Sequence, residues 1–187
     1  MHRNNENGAE GTLRIVMLIP YDPHYQPFTI RTLMFAQQLV KRGHRPTLFY
    51  APVRAGNRGK PVRSALPEPL PAHRLHPLDA EAWQKLARAI ERCDVVHFQK
   101  SKPPYSWAAM ALARAYRKPL HQDWDDDELA FWIETARERL RSLNPSSPVS
   151  LREAAIALAA VALSGTTERL IPVLADTIGG SSMALRK

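Results

Sequence analysis

Two short apolar runs in this chain stop abruptly in polar, ionisable residues. The first is Cys93-Asp94-Val95-Val96-His97-Phe98-Gln99-Lys100. The second is Pro119-Leu120-His121-Gln122-Asp123-Trp124, which runs into Asp125, Asp126 and Asp127. Residues 13–19 form a third apolar run, ending at Pro20. Nearly continuous apolar character over a strand's length marks a strand buried on both faces of a parallel sheet. In such sheets ligands lie outside the carboxyl ends of the strands. The rest of the chain must then supply crossover helices.

The intervening segments meet that demand. Ile30, Leu33, Met34, Phe35, Ala36, Leu39 and Val40 recur as a helical apolar stripe. Thr29 is the expected cap, and Arg42-Gly43-His44 ends the helix with cations and a glycine stop. Residues 46–50 resume as a strand. Residues 51–71 are rich in Pro, Gly and Arg without a period, and read as a long mobile loop. A short strand is expected over 73–78. A helix capped by Asp79 is expected over 80–92, and another over 105–116. Residues 128–143 read as a charged amphipathic helix. Ser150-Leu151-Arg152-Glu153 resembles a capping box opening an Ala/Leu helix to about residue 174. Ser164-Gly165-Thr166 would interrupt that helix, and Pro172 would kink or end it. A last short strand is expected over 176–178. The alternation predicts an α/β fold: a Rossmann-like parallel sheet flanked by helices.

At 187 residues the chain can bury one good core. Residues 1–12 are polar and read as a disordered tail, not a secretory signal. Residues 13–187 form the domain. No apolar run reaches the roughly 20 residues that span a bilayer. The single cysteine, Cys93, excludes an internal disulfide and fits a reducing, cytoplasmic compartment. Its place before a strand suits packing better than nucleophilic chemistry.

The net charge is +8. No acid occurs between Asp22 and Glu68, whereas Arg31, Lys41, Arg42, Arg45, Arg54, Arg58, Lys60 and Arg63 all fall there. Such a field attracts anionic membrane surfaces or phosphorylated substrates, with Arg54, Arg58, Lys60 and Arg63 as the expected contacts. A solvated basic face explains the same composition. No helix-turn-helix, RNA-recognition signature or zinc-finger spacing accompanies the charge, so nucleic acid is not an expected partner.

Four pieces of the chain, in order, resemble the N-terminal domain of family 4 glycosyltransferases. Arg42-Gly43-His44-Arg45-Pro46-Thr47 is similar to that family's "RGH-x-V-T" strand entry. Asp94-Val95-Val96-His97 resembles its "DVVH" strand. Lys118-Pro119-Leu120-His121-Gln122-Asp123-Trp124-Asp125-Asp126 resembles its "KP" strand running into "D-x-DD". Ala175-Asp176-Thr177-Ile178 through Ser181-Ser182 resembles the strand that closes the domain. The resemblance implies the N-terminal half of a GT-B fold, in which two Rossmann-like domains face each other across a cleft. This half would bind the acceptor, and a C-terminal half, absent here, would grip a nucleotide-sugar donor. The implied activity is sugar transfer from that donor to an acceptor hydroxyl, inactive without a donor-binding domain or subunit. The acceptor would be a sugar, lipid-linked or phosphorylated. A truncated, non-catalytic paralogue binding a sugar, a nucleotide or a protein is the alternative. Peripheral contact with the inner membrane face would suit either.

The chain departs from the family at two places. His24-Tyr25-Gln26-Pro27-Phe28-Thr29 stands where members often carry a Gly-Gly turn. Asp123 or Asp125 takes the place where many members put a catalytic His. The resemblance implies that Asp123, Asp125 or His97 polarises the acceptor hydroxyl. The acidic run would equally favour the N-terminus of the helix after it. His24, Tyr25, Gln26, Gln99, Lys100 and Gln122 are the expected cleft lining. Asp-x-Asp is also the metal pattern of the other large glycosyltransferase fold. The strand order favours GT-B, so no metal and no resident cofactor is assigned. Trp83, Trp107 and Trp132 fit packing faces.

Overall fold

The computed structural model describes residues 11–19, 21–23, 30–51, 70–99, 105–124, 128–142, 144, 146–174 and 176–180. They form β1 (Arg14–Ile19), α1 (Ile30–Lys41), β2 (Arg45–Tyr50), β3 (Ala72–Arg74), α2 (Ala80–Arg92) and β4 (Val95–Gln99). There follow α3 (Tyr105–Ala115), β5 (Leu120–Trp124), α4 (Glu128–Arg141), α5 (Pro148–Leu174) and β6 (Thr177–Gly180). The strands make one parallel sheet in the order β3-β2-β1-β4-β5-β6. The order reverses between β1 and β4, which is where an open α/β sheet leaves its crevice.

Side-chain alternation sorts the core onto the two faces of the sheet. Val16, Leu18, Val96, Phe98 and Leu120 pack with Leu86, Ile90, Ala109 and Met110 of α2 and α3. Ile15, Met17, Ile19 and Leu48 pack with Leu33 and Ala36 of α1. The expected stripe on α1 is narrower than its sequence suggests, because Met34 and Phe35 are exposed. Trp83 stacks on Tyr105 with ring centroids 5.8 Å apart, and Trp107 packs against the α2–α3 core. The Trp132 side chain lies outside the described residues. Cys93 is buried and its Sγ donates to the Ile90 carbonyl, while burial pushes the thiol pKa up. That is a packing environment.

Local chemistry ends the helices. Asp79 accepts from the Ala82 amide at 3.0 Å and caps α2 as expected. Gly43, at φ +84°, closes α1 with paired bonds: its amide donates to Val40 O, and the His44 amide to Leu39 O. The same pattern closes α3, where Arg117 N donates to Arg114 O and Lys118 N to Ala113 O. Here the left-handed position belongs to Arg117, at φ 52°.

Three details differ from the sequence reading. The third strand is shorter and starts earlier, at Ala72. The capping oxygen of α5 is Ser147, whose Oγ accepts from Ser150 N, with Pro148 in the first turn. Glu153 instead pairs with Arg139 of α4 at 2.8 Å. Finally, α5 runs unbroken through Ser164-Gly165-Thr166 and past Pro172. Packing of Ala154 and Ala157 accompanies its long contact with α4, and Thr166 Oγ1 donates back to Ala162 O at 2.9 Å. The preference of Gly165 against helix is weak and is overridden there.

Arg117 is the one strained non-glycine residue among those described. Replacing Arg117 with Gly relieves the left-handed penalty, and is expected to raise stability by about 1 kcal/mol. Urea denaturation measures it; an unchanged or lower midpoint contradicts the strain.

Candidate functional site

The carboxyl ends of β4 and β5 are tied to the first turn of α1. Thr32 is buried, and its hydroxyl donates to Gln99 Oε1 in a short hydrogen bond. Arg31 pairs with Asp123 Oδ2 at 2.7 Å. A cation in the first turn opposes the helix dipole. The Asp123 carboxylate offsets that cost and holds the guanidinium at the strand ends. The two ties span 67 and 92 residues of sequence. Together they bring α1, the helix that follows β1, onto the tips of β4 and β5.

Register decides which side chains share this place. His97 pairs with His121 and Gln99 with Asp123 across β4 and β5. These four therefore lie on one face, the α1 face. His97 and His121 meet with Nδ1 to Nδ1 at 2.8 Å and their rings stacked at 5.0 Å. One Nδ1 must carry a hydrogen and the other accept it. Phe35 of α1 closes over His97 at a centroid distance of 5.3 Å. His97 is 4% exposed, and its Nε2 finds no hydrogen-bond partner among the described residues. Burial, then the neighbouring His121, then Arg31 push the His97 pKa down to about 3. Burial also lowers His121, against the opposing pull of Asp123. At neutral pH the pair is two neutral imidazoles.

The structure thus gathers His97, Gln99 and Asp123 of the expected residues. Gln122 is buried too, but alternation turns it to the opposite face with Leu120. Asp125, His24, Tyr25, Gln26, Lys100, Arg54, Arg58, Lys60 and Arg63 lie outside the described residues. Among the described residues no three His, Cys, Asp or Glu side chains gather. Arg31, Thr32, Phe35 and His121 are parts of this cluster that the sequence reading did not assign to it. The signal that could mark Arg31 is a basic residue opening a helix without an acid in its first turn.

The sequence profile of Glycosyltransferase Family 4 matches residues 29–147. The chain belongs to glycosyltransferase family 4. Its sheet is the Rossmann-like one of the N-terminal half of a GT-B fold. Among solved structures, an alpha-glucosyltransferase in complex with UDP and a 13-mer DNA containing a HMU base aligns at a TM-score of 0.50. Identity is 15%, over 92% of this chain and 39% of that one. Os79 from O. sativa in complex with UDP aligns at 0.46 and 18% identity, over 89% of this chain and 46% of that one. TcCGT1 in complex with UDP aligns at 0.42 and 15%, over 71% and 32%. This family 4 chain spans less than half the length of each of these proteins. No curated protein sequence matches it.

The histidine pair gives a pH signature. An unfolded imidazole takes up its proton near pH 6.5, but native His97 does so only near pH 3. Acidification through that window favours the unfolded chain. Between neutrality and about pH 5, His97 is expected to remove about 2 kcal/mol of stability, with His121 adding in the same direction. Denaturation at several pH values measures this. His97→Phe is expected to flatten the slope; a variant as acid-sensitive as the wild type contradicts it.

Proposed function

We propose that this chain is the acceptor-side domain of a family 4 glycosyltransferase. It would hold an acceptor hydroxyl for attack on the anomeric carbon of a nucleotide-linked sugar, as the nucleoside diphosphate leaves. A second domain or subunit would bind the donor. What carries the reading is the tie of Arg31 and Thr32 to Asp123 and Gln99, at the point where the strand order reverses. That tie holds the Asp123 carboxylate and the Arg31 guanidinium on one rigid edge, with Thr32 and Gln99 locked beneath it. A sugar is recognised by such fixed polar groups.

Asp123 is the proposed hydroxyl acceptor, with Asp125 beside it in sequence. His97 is buried and would act through His121 as a positioning group. His24, Tyr25, Gln26 and Lys100 fall in segments that join strand ends to the next helices, and would complete the lining. The lone buried thiol suits a cytoplasmic site of action. No helix among the described residues is long and apolar enough to cross a membrane. The segment bearing Arg54, Arg58, Lys60 and Arg63 would rest on anionic lipid. Charge reversal of those four residues is expected to abolish sedimentation with anionic liposomes; undiminished binding contradicts that contact.

Calorimetry on the purified chain tests the acceptor assignment. Sugars and phosphorylated sugars are expected to bind, and nucleotides and nucleotide-sugars to give no heat. Asp123→Asn and Arg31→Ala should each weaken sugar binding about tenfold, by loss of a charge-assisted hydrogen bond. Tight Mn²⁺-dependent binding of a nucleotide-sugar would make the acidic run a donor site and overturn the proposal. Nucleotide or protein binding without any sugar binding would favour a non-catalytic module.

A further inference from the structure

A cavity of about 500 Å³ lies at the other end of the sheet, where β1 and β2 begin and α1 and α2 end. That volume is within the range of small-molecule sites, roughly 300–1,000 Å³. Its walls are mostly apolar, with Ile15 and Val16 of β1, Val40 of α1, and Ala89 and Cys93 from α2 and its end. Arg14, Arg45 and Arg92 also line it. β1 runs from this cavity to the crevice, a distance of about 20 Å for a six-residue strand. The two sites do not overlap.

The cations at this end are not equivalent. Arg14 is committed to Asp94, whose Oδ2 accepts from the Arg14 amide at 2.7 Å and whose Oδ1 meets the guanidinium at 3.3 Å. Those hydrogen bonds to Arg14 hold the Asp94 carboxyl below its usual range. Arg45 and Arg92 are exposed and have no ion pair among the described residues. Helix carboxyl ends favour cations, which accounts for a basic residue such as Arg92 in the last turn of α2. The dipole does not account for an apolar cavity at the starts of β1 and β2, flanked by the two helix ends on opposite faces of the sheet. Nor is the helix end an anion trap reversed: the last carbonyls of α1 are already closed by Gly43 and His44 amides. Two exposed guanidinium groups without an ion pair among the described residues thus stand at the cavity. Apolar walls disfavour an inorganic anion or a bare sugar, whose hydration would be lost without replacement.

We propose that this cavity binds an amphipathic anion: an alkyl or acyl chain carrying a carboxylate or phosphate head. The chain lies by Val16 and Ala89 at the start of β1, and the head meets Arg45 and Arg92.

Calorimetry with decanoate and with decyl phosphate, both below their micellar concentrations, tests this. At least one is expected to bind saturably at one per chain, and the tighter of the two identifies the head group. Decanol and inorganic phosphate separate the two halves of the ligand; each is expected to bind at least about tenfold more weakly than the anion. The double variant R45E/R92E changes only exposed positions. It is expected to weaken binding about tenfold or more, with an unchanged circular dichroism spectrum. Ala89→Trp fills the cavity and is expected to abolish binding. Should that variant fail to fold, R45E/R92E decides alone. No saturable binding of either anion, or equal binding by wild type and R45E/R92E, overturns the proposal. So does decanol binding as tightly as the anions, since that leaves the guanidinium groups no part.

Discussion

The parallel pairing of β1 with β4 is the constraint from which the rest follows. It sets Ile15 to Leu18 beside Val95 to Phe98, and so places the reversal of strand order at the centre of the sheet. Both faces of these strands are buried, so their polar groups must find partners within the fold. Gln99 does so with Thr32, and His97 with His121. The partners come from α1 and from β5, which makes each polar group a clamp between elements. A family 4 domain with this pairing shifted by one residue would turn His97 and Gln99 onto the α2–α3 face, and neither tie would form.

The two ends of the sheet have different chemistry for a related reason. At the carboxyl ends, helix N-termini and strand tips bring in hydroxyl, amide, carboxylate and guanidinium groups that satisfy one another. At the amino ends, helix carboxyl termini collect cations, and among the described residues Arg14 and Arg114 pair with acids there. The crevice end thus presents polar groups already held by one another. The opposite end presents exposed cations beside apolar walls.

Much of this was readable in order along the chain. Strand-length apolar runs, the glycine after Lys41-Arg42 and the cap at Asp79 each act within a few residues, and each is found where expected. The α/β class followed from their alternation. The cluster was harder. Gln99 and Asp123 were visible as strand tips, but Arg31 read only as one charge in a basic stretch. His121 was visible beside Gln122, yet its partnership with His97 depends on register between strands 24 residues apart. Ser147 in place of Ser150 at the α5 start shows the same limit on a small scale: two serines three residues apart compete, and the turn before the helix chooses.

The sequence alone determined the element types, the parallel character of the sheet and the family, because burial on both faces demands apolar runs and local capping demands particular residues. Only the tertiary structure decided which polar side chains meet. A hydrogen bond between Arg31 and Asp123 is set by helix position, strand register and strand order together, and none of these is a property of a short stretch of chain. The same holds for the cavity at the amino ends, where Val40, Ala89 and Arg45 are apolar, small and basic for ordinary reasons in sequence. They become a site only because two helices end beside the same pair of strands.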